Sequence, residues 1–275
     1  MKIAYQGIPG SYSESCAKKM YPDCETISCK TFDECFEKSS ENSEIKAIIP
    51  ESNKTTGNIG VEYLIFKYRL NIHEEHFFPI KHNLLGVKGS KINEVKKVYS
   101  HAQALSQSSN FIRKHNLNEN VRADTAGSAK YISEDKDKTK SAIASLLSAE
   151  IYNLEVLQKN IQDDKNNVTR FLIMGKEIYQ PDYKKEKYIT SFLFKLKSKP
   201  AALYSALSGF AINGVNMTKL QSFPEQNSFS SFFFLCDIEG HIEDQKIKNS
   251  LEELGLHCED MHILGVYKSD EFREN

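Results

Sequence analysis

Apolar and polar positions alternate along this chain in two different ways. Over about the first 180 residues, short apolar runs read as strands, end in Ser, Thr, Asn or Gly, and pass into helical stretches. Lys2-Ile3-Ala4-Tyr5-Gln6 predicts a strand, Gly7-Ile8-Pro9-Gly10 a turn, and Ser11-Tyr12-Ser13-Glu14 the start of a helix. Ala47-Ile48-Ile49 runs through Pro50 into Ser52-Asn53-Lys54-Thr55-Thr56-Gly57, ahead of a helix burying Val61, Leu64, Ile65 and Tyr68. Val98-Tyr99 ends in Ser100-His101-Ala102-Gln103-Ala104-Leu105 and a helix reaching toward His115, and Val121-Arg122-Ala123 leads into Asp124-Thr125-Ala126-Gly127. Ala142 to Ile161 reads as one long amphipathic helix, with Ile143, Leu147, Ile151, Leu154, Leu157 and Ile161 on its apolar face. Phe171-Leu172-Ile173-Met174, closed by Gly175, predicts a buried strand with Thr169 and Arg170 at its mouth.

In an open α/β sheet, strand-to-helix turns collect at the carboxyl ends of the strands, where ligands bind. Several such turns around one cleft make a pocket of neutral donors suited to a small polyanion such as a dicarboxylate. Arg170 would add a full positive charge. Capping alone accounts for part of the pattern: Ser11 with Glu14 forms a capping box, and Thr169 taken by itself would cap a turn while Arg170 pairs with a surface acid. Ser100 beside His101 suggests a nucleophile and base, but adjacent residues lack the geometry and no acid is identifiable. Ser100 is therefore read as a ligand donor and His101 as a helix-start residue. No G-x-G-x-x-G follows the first strand, so no dinucleotide is implied.

Tyr179 to Lys187 is a polar linker containing Pro181, and the pattern changes beyond it. Tyr188 to Leu196 is strand-like, and Pro200 to Asn213 is helical with Leu203, Leu207 and Phe210 on one face, stopped by Gly214. Val215 to Ser222 and Phe229 to Ile238 are strands, Glu243 to Leu254 a helix ending at Gly255, and Met261 to Val266 a last strand. The order is βαββαβ, ferredoxin-like. Such a domain is regulatory, dimer-forming or a cap, and the Phe-rich strand from Phe229 through Phe232, Phe233 and Phe234 needs cover.

A length of 275 residues points to about two domains. The 36 basic and 37 acidic residues nearly balance, which favours a small ligand over nucleic acid or an anionic membrane. No apolar run has the length of a membrane span or signal peptide, so a cytoplasmic protein is expected. The 6 cysteines have no C-x-x-C spacing and read as reduced, mostly buried thiols; Cys24, Cys29 and Cys35 fit no metal-binding framework. His73, Glu74, Glu75 and His76 lack H-E-x-x-H spacing and are read as a solvated connection.

The segments Ala4-Tyr5-Gln6-Gly7-Ile8-Pro9-Gly10-Ser11-Tyr12-Ser13-Glu14, Tyr99-Ser100-His101-Ala102-Gln103-Ala104-Leu105-Ser106-Gln107, Asp124-Thr125-Ala126-Gly127 and Ile161-Gln162-Asp163-Asp164 through Asn167-Val168-Thr169-Arg170-Phe171 together resemble the prephenate dehydratase family, including its arogenate dehydratase branch. The resemblance implies a two-lobed, periplasmic-binding-protein-like α/β catalytic domain over 1–179 and an ACT domain over 186–270 that binds phenylalanine as feedback inhibitor. It implies decarboxylation of prephenate with loss of the ring hydroxyl, with no metal or cofactor. By this resemblance Thr169 assists the departing hydroxyl and Arg170 clamps a carboxylate, while Ser11, Asn53, Thr55, Ser100, Gln107, Thr125 and Phe171 face the substrate. Ala201, Ala202, Leu203, Asn216, Met217, Thr218, Gln221 and Ser222 match the effector site, and a homodimer or homotetramer is implied. The sequence departs from the family at Ser52, where a Glu is usual and Glu51 stands one place early. It departs again at Gln221-Ser222-Phe223-Pro224, in place of Glu-Ser-Arg-Pro, and at Ala201, in place of a glycine.

Overall fold

The computed structural model describes residues 1–184, 186–225, 228 and 230–274. In chain order the first elements are β1 (Lys2–Gln6), α1 (Tyr12–Met20), β2 (Glu25–Cys29), α2 (Phe32–Glu41), β3 (Ile45–Asn53), β4 (Gly57–Asn58), α3 (Glu62–Tyr68) and β5 (Asn71–Pro79). Next come β6 (Asn83–Gly86), β7 (Lys97–Ser100), α4 (Ala102–Ser106), α5 (Ser109–Lys114), β8 (Asn118–Val121), α6 (Thr125–Asp135), β9 (Lys140–Ala144), α7 (Leu146–Ile151) and β10 (Glu155–Gln158). The chain continues through β11 (Val168–Gly175), β12 (Tyr188–Leu196), α8 (Ala202–Ile212), β13 (Met217–Pro224), β14 (Phe232–Glu239), α9 (Gln245–His257) and β15 (Cys258–Lys268).

Two sheets form the lobes of the α/β part. The first has the order β2-β1-β3-β11-β5, with β4 on β3, and the second the order β10-β6-β9-β7-β8. In the second, β7 runs parallel to β8 and β9, while β6 is antiparallel to β9 and β10. Helix-linked parallel strands are buried on both faces and read as continuous apolar runs. Ile3, Ala4, Ile48, Ile49, Val98, Ala142 and Ile143 accordingly have no exposed surface. The chain passes from the first sheet to the second at Ile80–His82 and returns between β10 and β11.

Several expected elements differ. The helix expected over 142–161 is instead β9, α7 and β10. Ala142, Ile143 and Ala144 form a fully buried strand, and a short apolar run of this kind cannot be told from one side of a helix by spacing. Ser145 then caps α7, accepting from Ser148 N at 3.0 Å, and Asn153 at φ 53° follows its end. The helix expected to reach His115 is two short ones, α4 and α5, with Gln107 closing the first. His73 to His76 are not a solvated connection but part of β5, with His73 and Glu75 buried.

The last part is β12-α8-β13-β14-α9-β15, a four-stranded sheet of order β13-β14-β12-β15 with all neighbours antiparallel. This is the ferredoxin-like arrangement anticipated. Phe192, Phe194, Phe210, Ile238, Ile247 and Leu254 form its core. Gly214, at φ 65°, follows the end of α8, whereas α9 runs through Gly255 to His257. Phe229 lies outside the described residues, and the aromatic run begins with Phe232 in β14.

By compactness the chain divides into Met1–Cys35, Ala47–Ile59 and Phe77–Phe171 on one hand, and Phe36–Lys46, Gly60–His76 and Leu172–Asn275 on the other. All six cysteines are thiols, five of them buried. No described helix is long and apolar enough to cross a membrane.

Candidate active site

Between the two sheets of the α/β part lies a cavity of about 410 Å³, within the usual size of small-molecule sites. Its wall collects the ends of elements far apart in sequence. Gln6 ends β1 and Gly7 follows it, Ser11 caps α1 and Tyr12 and Ser13 open it, and Pro50 and Asn53 lie toward the carboxyl end of β3. His101, Gln103, Ala104 and Gln107 come from α4 and its ends, and Asp124 and Thr125 open α6. Ile80 and His82 lie on the outgoing crossover, and Thr169 and Phe171 on the returning strand β11.

Asn53 is the hub. Its Oδ1 accepts the backbone N–H of Thr55 at 3.0 Å and of Thr56 at 3.2 Å, and its Nδ2 donates to the Val168 carbonyl at 3.1 Å. Backbone amides only donate and carbonyls only accept, so the orientation of this amide is fixed. Nδ2 also donates to Thr169 Oγ1 and to Asn167 Oδ1, each at 2.8 Å. Asn167 Nδ2 must then donate to Gln107 Oε1, at 3.0 Å, and Gln107 Nε2 to Thr55 Oγ1, at 2.6 Å. Thr55 Oγ1 returns its proton to Asn53 Oδ1 at 2.6 Å, which closes a ring. Because Asn53 donates to Thr169 Oγ1, the hydroxyl's own proton remains for the cavity.

His82 joins this ring. Its Nε2 lies 2.9 Å from Gln107 Oε1 and its Nδ1 2.7 Å from Tyr12 Oη. Burial pushes the imidazole below the ordinary histidine value, opposed by the bond to Gln107, and burial also raises the Tyr12 hydroxyl.

The structure gathers Ser11, Asn53, Gln107, Thr125, Thr169 and Phe171 around one cavity. It changes the expectation at three other positions. Side chains alternate along a strand, so Thr169 and Phe171 share the cavity face of β11 while Arg170 turns away. Arg170 is buried, and its guanidinium donates to Glu51 Oε2 at 3.3 Å, so it is not the cavity's carboxylate clamp. Ser100 has no exposed surface and donates to the Ile143 carbonyl at 2.7 Å, tying β7 to β9 rather than facing a ligand. Thr55 is exposed and acts through Asn53 and Gln107, behind the wall.

Other expectations gain physical detail. Ser11 caps α1, accepting from Glu14 N at 3.2 Å, while the Glu14 carboxylate reaches back to Gly10 N rather than to Ser11. Burial pushes the Glu14 carboxyl up, but bonds from Gly10, Lys18 and Thr26 outweigh it and hold it below its usual value. Gly10 is required less for ligand approach than for packing: at φ +95°, a Cβ there would lie 2.9 Å from Ser148 Cα. His101 caps α4 through Nδ1, as a helix-start residue. Glu51, the acid one place early, is turned onto Arg170, and Ser52 donates to it at 2.9 Å. His82 was missed because hydrophobic patterning says nothing about a polar residue on a crossover, and Tyr12, the first residue of α1, was read only as part of a helix start.

In the βαββαβ part, Ala201, Ala202 and Leu203 begin α8, with Ala201 left-handed at φ 57°. That is a conformation in which glycine carries no penalty. Asn216, Met217, Thr218, Gln221 and Ser222 lie at the start of β13 and along it; Met217 packs on the core and Thr218 is exposed. Phe223, where the family has arginine, is buried against Phe233, ring centroids 6.0 Å apart.

Two sheets joined by two crossovers around a cavity of small-molecule size, followed by a βαββαβ module, define a two-lobed α/β protein with an appended ferredoxin-like domain. Residues 3–179 match the family described as prephenate dehydratase, and the chain belongs to that family of lyases acting on prephenate or arogenate. Over 285 residues it is 39% identical to arogenate dehydratase 2 of Petunia hybrida, spanning 98% of this chain and 72% of that protein. It is 35% identical over 272 residues to a bifunctional N-acyl-homoserine lactone acylase/prephenate dehydratase of Komagataeibacter europaeus, covering 98% and 97% of the two chains. The crystal structure of an Arthrobacter aurescens prephenate dehydratase in complex with L-Phe shares the fold, with a TM-score of 0.87 at 24% identity over 98% of this chain and 90% of that one.

Proposed function

We propose that this chain converts prephenate to phenylpyruvate with Thr169 as the group that assists departure of the ring hydroxyl. The observation that carries the reading is the Thr169 hydroxyl on the cavity wall, its oxygen occupied by Asn53 and its proton left for a ligand. As the bond to the ring carboxylate breaks, its electron pair enters the ring and the C–O bond to the hydroxyl breaks at the far end. Carbon dioxide leaves, and the hydroxyl departs as water on receiving a proton. Aromatisation supplies the driving force, so the protein's tasks are to orient the diacid, supply that proton and exclude bulk water. With Arg170 turned away, the carboxylates are assigned to neutral donors: Ser11 and the first-turn amides of α1, Thr125 at the start of α6, and Gln107. Phe171 supplies an apolar wall for the ring.

The catalytic domain is assigned to 1–179 and an ACT domain to 186–270. Phenylalanine is the proposed effector, at Ala201, Ala202, Leu203, Asn216, Met217, Thr218, Gln221 and Ser222, in line with the L-Phe complex described for the Arthrobacter protein. A homodimer or homotetramer in the cytoplasm completes the proposal. Turnover of prephenate against arogenate, followed as phenylpyruvate and phenylalanine, tests the substrate; faster turnover of arogenate would replace prephenate in this reading, as the name of the Petunia relative suggests. Titration calorimetry with phenylalanine tests the effector, and absence of heat would remove it.

A further inference from the structure

We infer that His82 is a positioning residue of this lyase site: its Nε2–H locks the Gln107 amide and, through Asn167 and Asn53, aims the Thr169 hydroxyl into the cavity. The inference rests on the role proposed for Thr169, but its geometry stands by itself. Starting from backbone atoms, whose polarity is not open to choice, each link dictates the next. The Thr55 and Thr56 amides make Asn53 Oδ1 an acceptor, so Asn53 Nδ2 donates to Asn167 Oδ1. Asn167 Nδ2 therefore faces Gln107 Oε1, which has no proton to give. The imidazole nitrogen 2.9 Å from that oxygen must carry a hydrogen. His82 is thus the Nε2–H tautomer, and Nδ1 accepts from Tyr12 Oη at 2.7 Å, whose proton the Lys81 carbonyl shares at 3.1 Å. The two donors fill both lone pairs of Gln107 Oε1 and leave its Nε2 on Thr55.

His82 is held as firmly as the ring it serves. It is 2% exposed. Its N–H donates to Gln162 Oε1 at 3.0 Å and its carbonyl accepts from Ile161 N at 2.8 Å. It sits on the outgoing crossover and Asn167 just before the returning strand, so the chain of bonds spans both crossings. Without the Nε2 donor, one lone pair of Gln107 Oε1 loses its partner and the amide is held less firmly, by Asn167 and Thr55 alone. Turning it would place a donor against Asn167 Nδ2. Asn53, held by the Thr55 and Thr56 amides and the Val168 carbonyl, cannot turn in response, so the conflict displaces its Nδ2 from Asn167 and disturbs its contact with Thr169 Oγ1. The effect belongs to turnover more than to substrate capture, because Ser11, the first-turn amides of α1 and Thr125 stand outside the relay and Gln107 is only one of the assigned carboxylate donors.

The test uses the full-length protein and combines kinetics with ¹⁵N-histidine NMR. His82→Phe keeps a buried ring without a donor, and it should lower kcat roughly tenfold, the scale of one lost buried hydrogen bond, with KM changed less than about threefold. His82→Gln offers an amide N–H at similar reach and should recover most of that loss. In the Thr169→Val background, His82→Phe should have no further effect, since the two act as one unit. NMR of the wild type should show Nε2 protonated and Nδ1 bare. An Nδ1–H tautomer, a wild-type kcat in His82→Phe, or a full additional loss in the double variant would overturn the inference. The last two leave the role of Thr169 standing, whereas a fully active Thr169→Val would remove that role while the NMR result still judged the relay. Should His82→Phe fail to fold, the tautomer and His82→Gln decide the matter.

Discussion

Replacing Thr169 by valine removes a single oxygen while keeping volume and branching. The hub amide Asn53 Nδ2 has two N–H groups and three oxygens within reach, Asn167 Oδ1 at 2.8 Å, Val168 O at 3.1 Å and Thr169 Oγ1 at 2.8 Å. Losing the third leaves an acceptor for each proton, so no buried donor is stranded and the fold should lose no more than about 1 kcal/mol. For a domain stable by about 5–15 kcal/mol, that change leaves the folded fraction untouched. Turnover is another matter. Loss of a positioned proton donor should lower kcat about a hundredfold or more, equivalent to about 2.7 kcal/mol of barrier. Substrate affinity should hold, because the other wall donors remain. The assay is phenylpyruvate absorbance from prephenate, run beside a urea melt of the same preparation. Turnover within a fewfold of wild type in a folded Thr169→Val protein would refute the reasoning, as would a fall in turnover explained by unfolding.

Arg170→Met should be felt in stability first: it leaves the Glu51 carboxylate buried beside a lost partner, at about 3–5 kcal/mol, read from denaturant midpoints. Ala201→Gly should raise stability by about 0.5–1 kcal/mol, because the left-handed penalty at φ 57° exceeds the added chain entropy of glycine. A lower urea midpoint would contradict it. Burial holds His73, His82 and His262 below the ordinary histidine value. As pH falls below about 6.5 the unfolded chain therefore binds protons before the folded one does, so stability is complete above about pH 7 and declines on acidification, by up to ~1.4 kcal/mol per pH unit for each histidine. The depressed Glu14 carboxyl contributes stability above its unfolded value that is lost as pH falls further. Melts across pH 5 to 8 that show no slope would contradict the histidine part.

Much of the fold was legible because strands ending in capping residues leave a strong local signal: the turns at Ser11, Asn53, His101 and Asp124 all fall at strand ends, and β12 was located to the residue. What was not legible depended on partners distant in sequence. The run 142–161 kept helical spacing although a buried strand supplied part of it. Adjacent Thr169 and Arg170 looked like one unit until strand alternation parted them, one to the cavity and the other to Glu51. Ser100 looked like a ligand donor, yet its hydroxyl is committed to Ile143 O across a sheet whose pairing no local pattern announces. His82 had no motif around it; its meaning comes from two crossovers brought together by the pairing of β3, β5 and β11.

The most direct test of the account is steady-state formation of phenylpyruvate from prephenate by the purified full-length protein in the presence of a chelator. Saturable turnover that valine at Thr169 lowers about a hundredfold or more is the expected result. No phenylpyruvate from a folded wild-type preparation, or turnover indifferent to that hydroxyl, would contradict it.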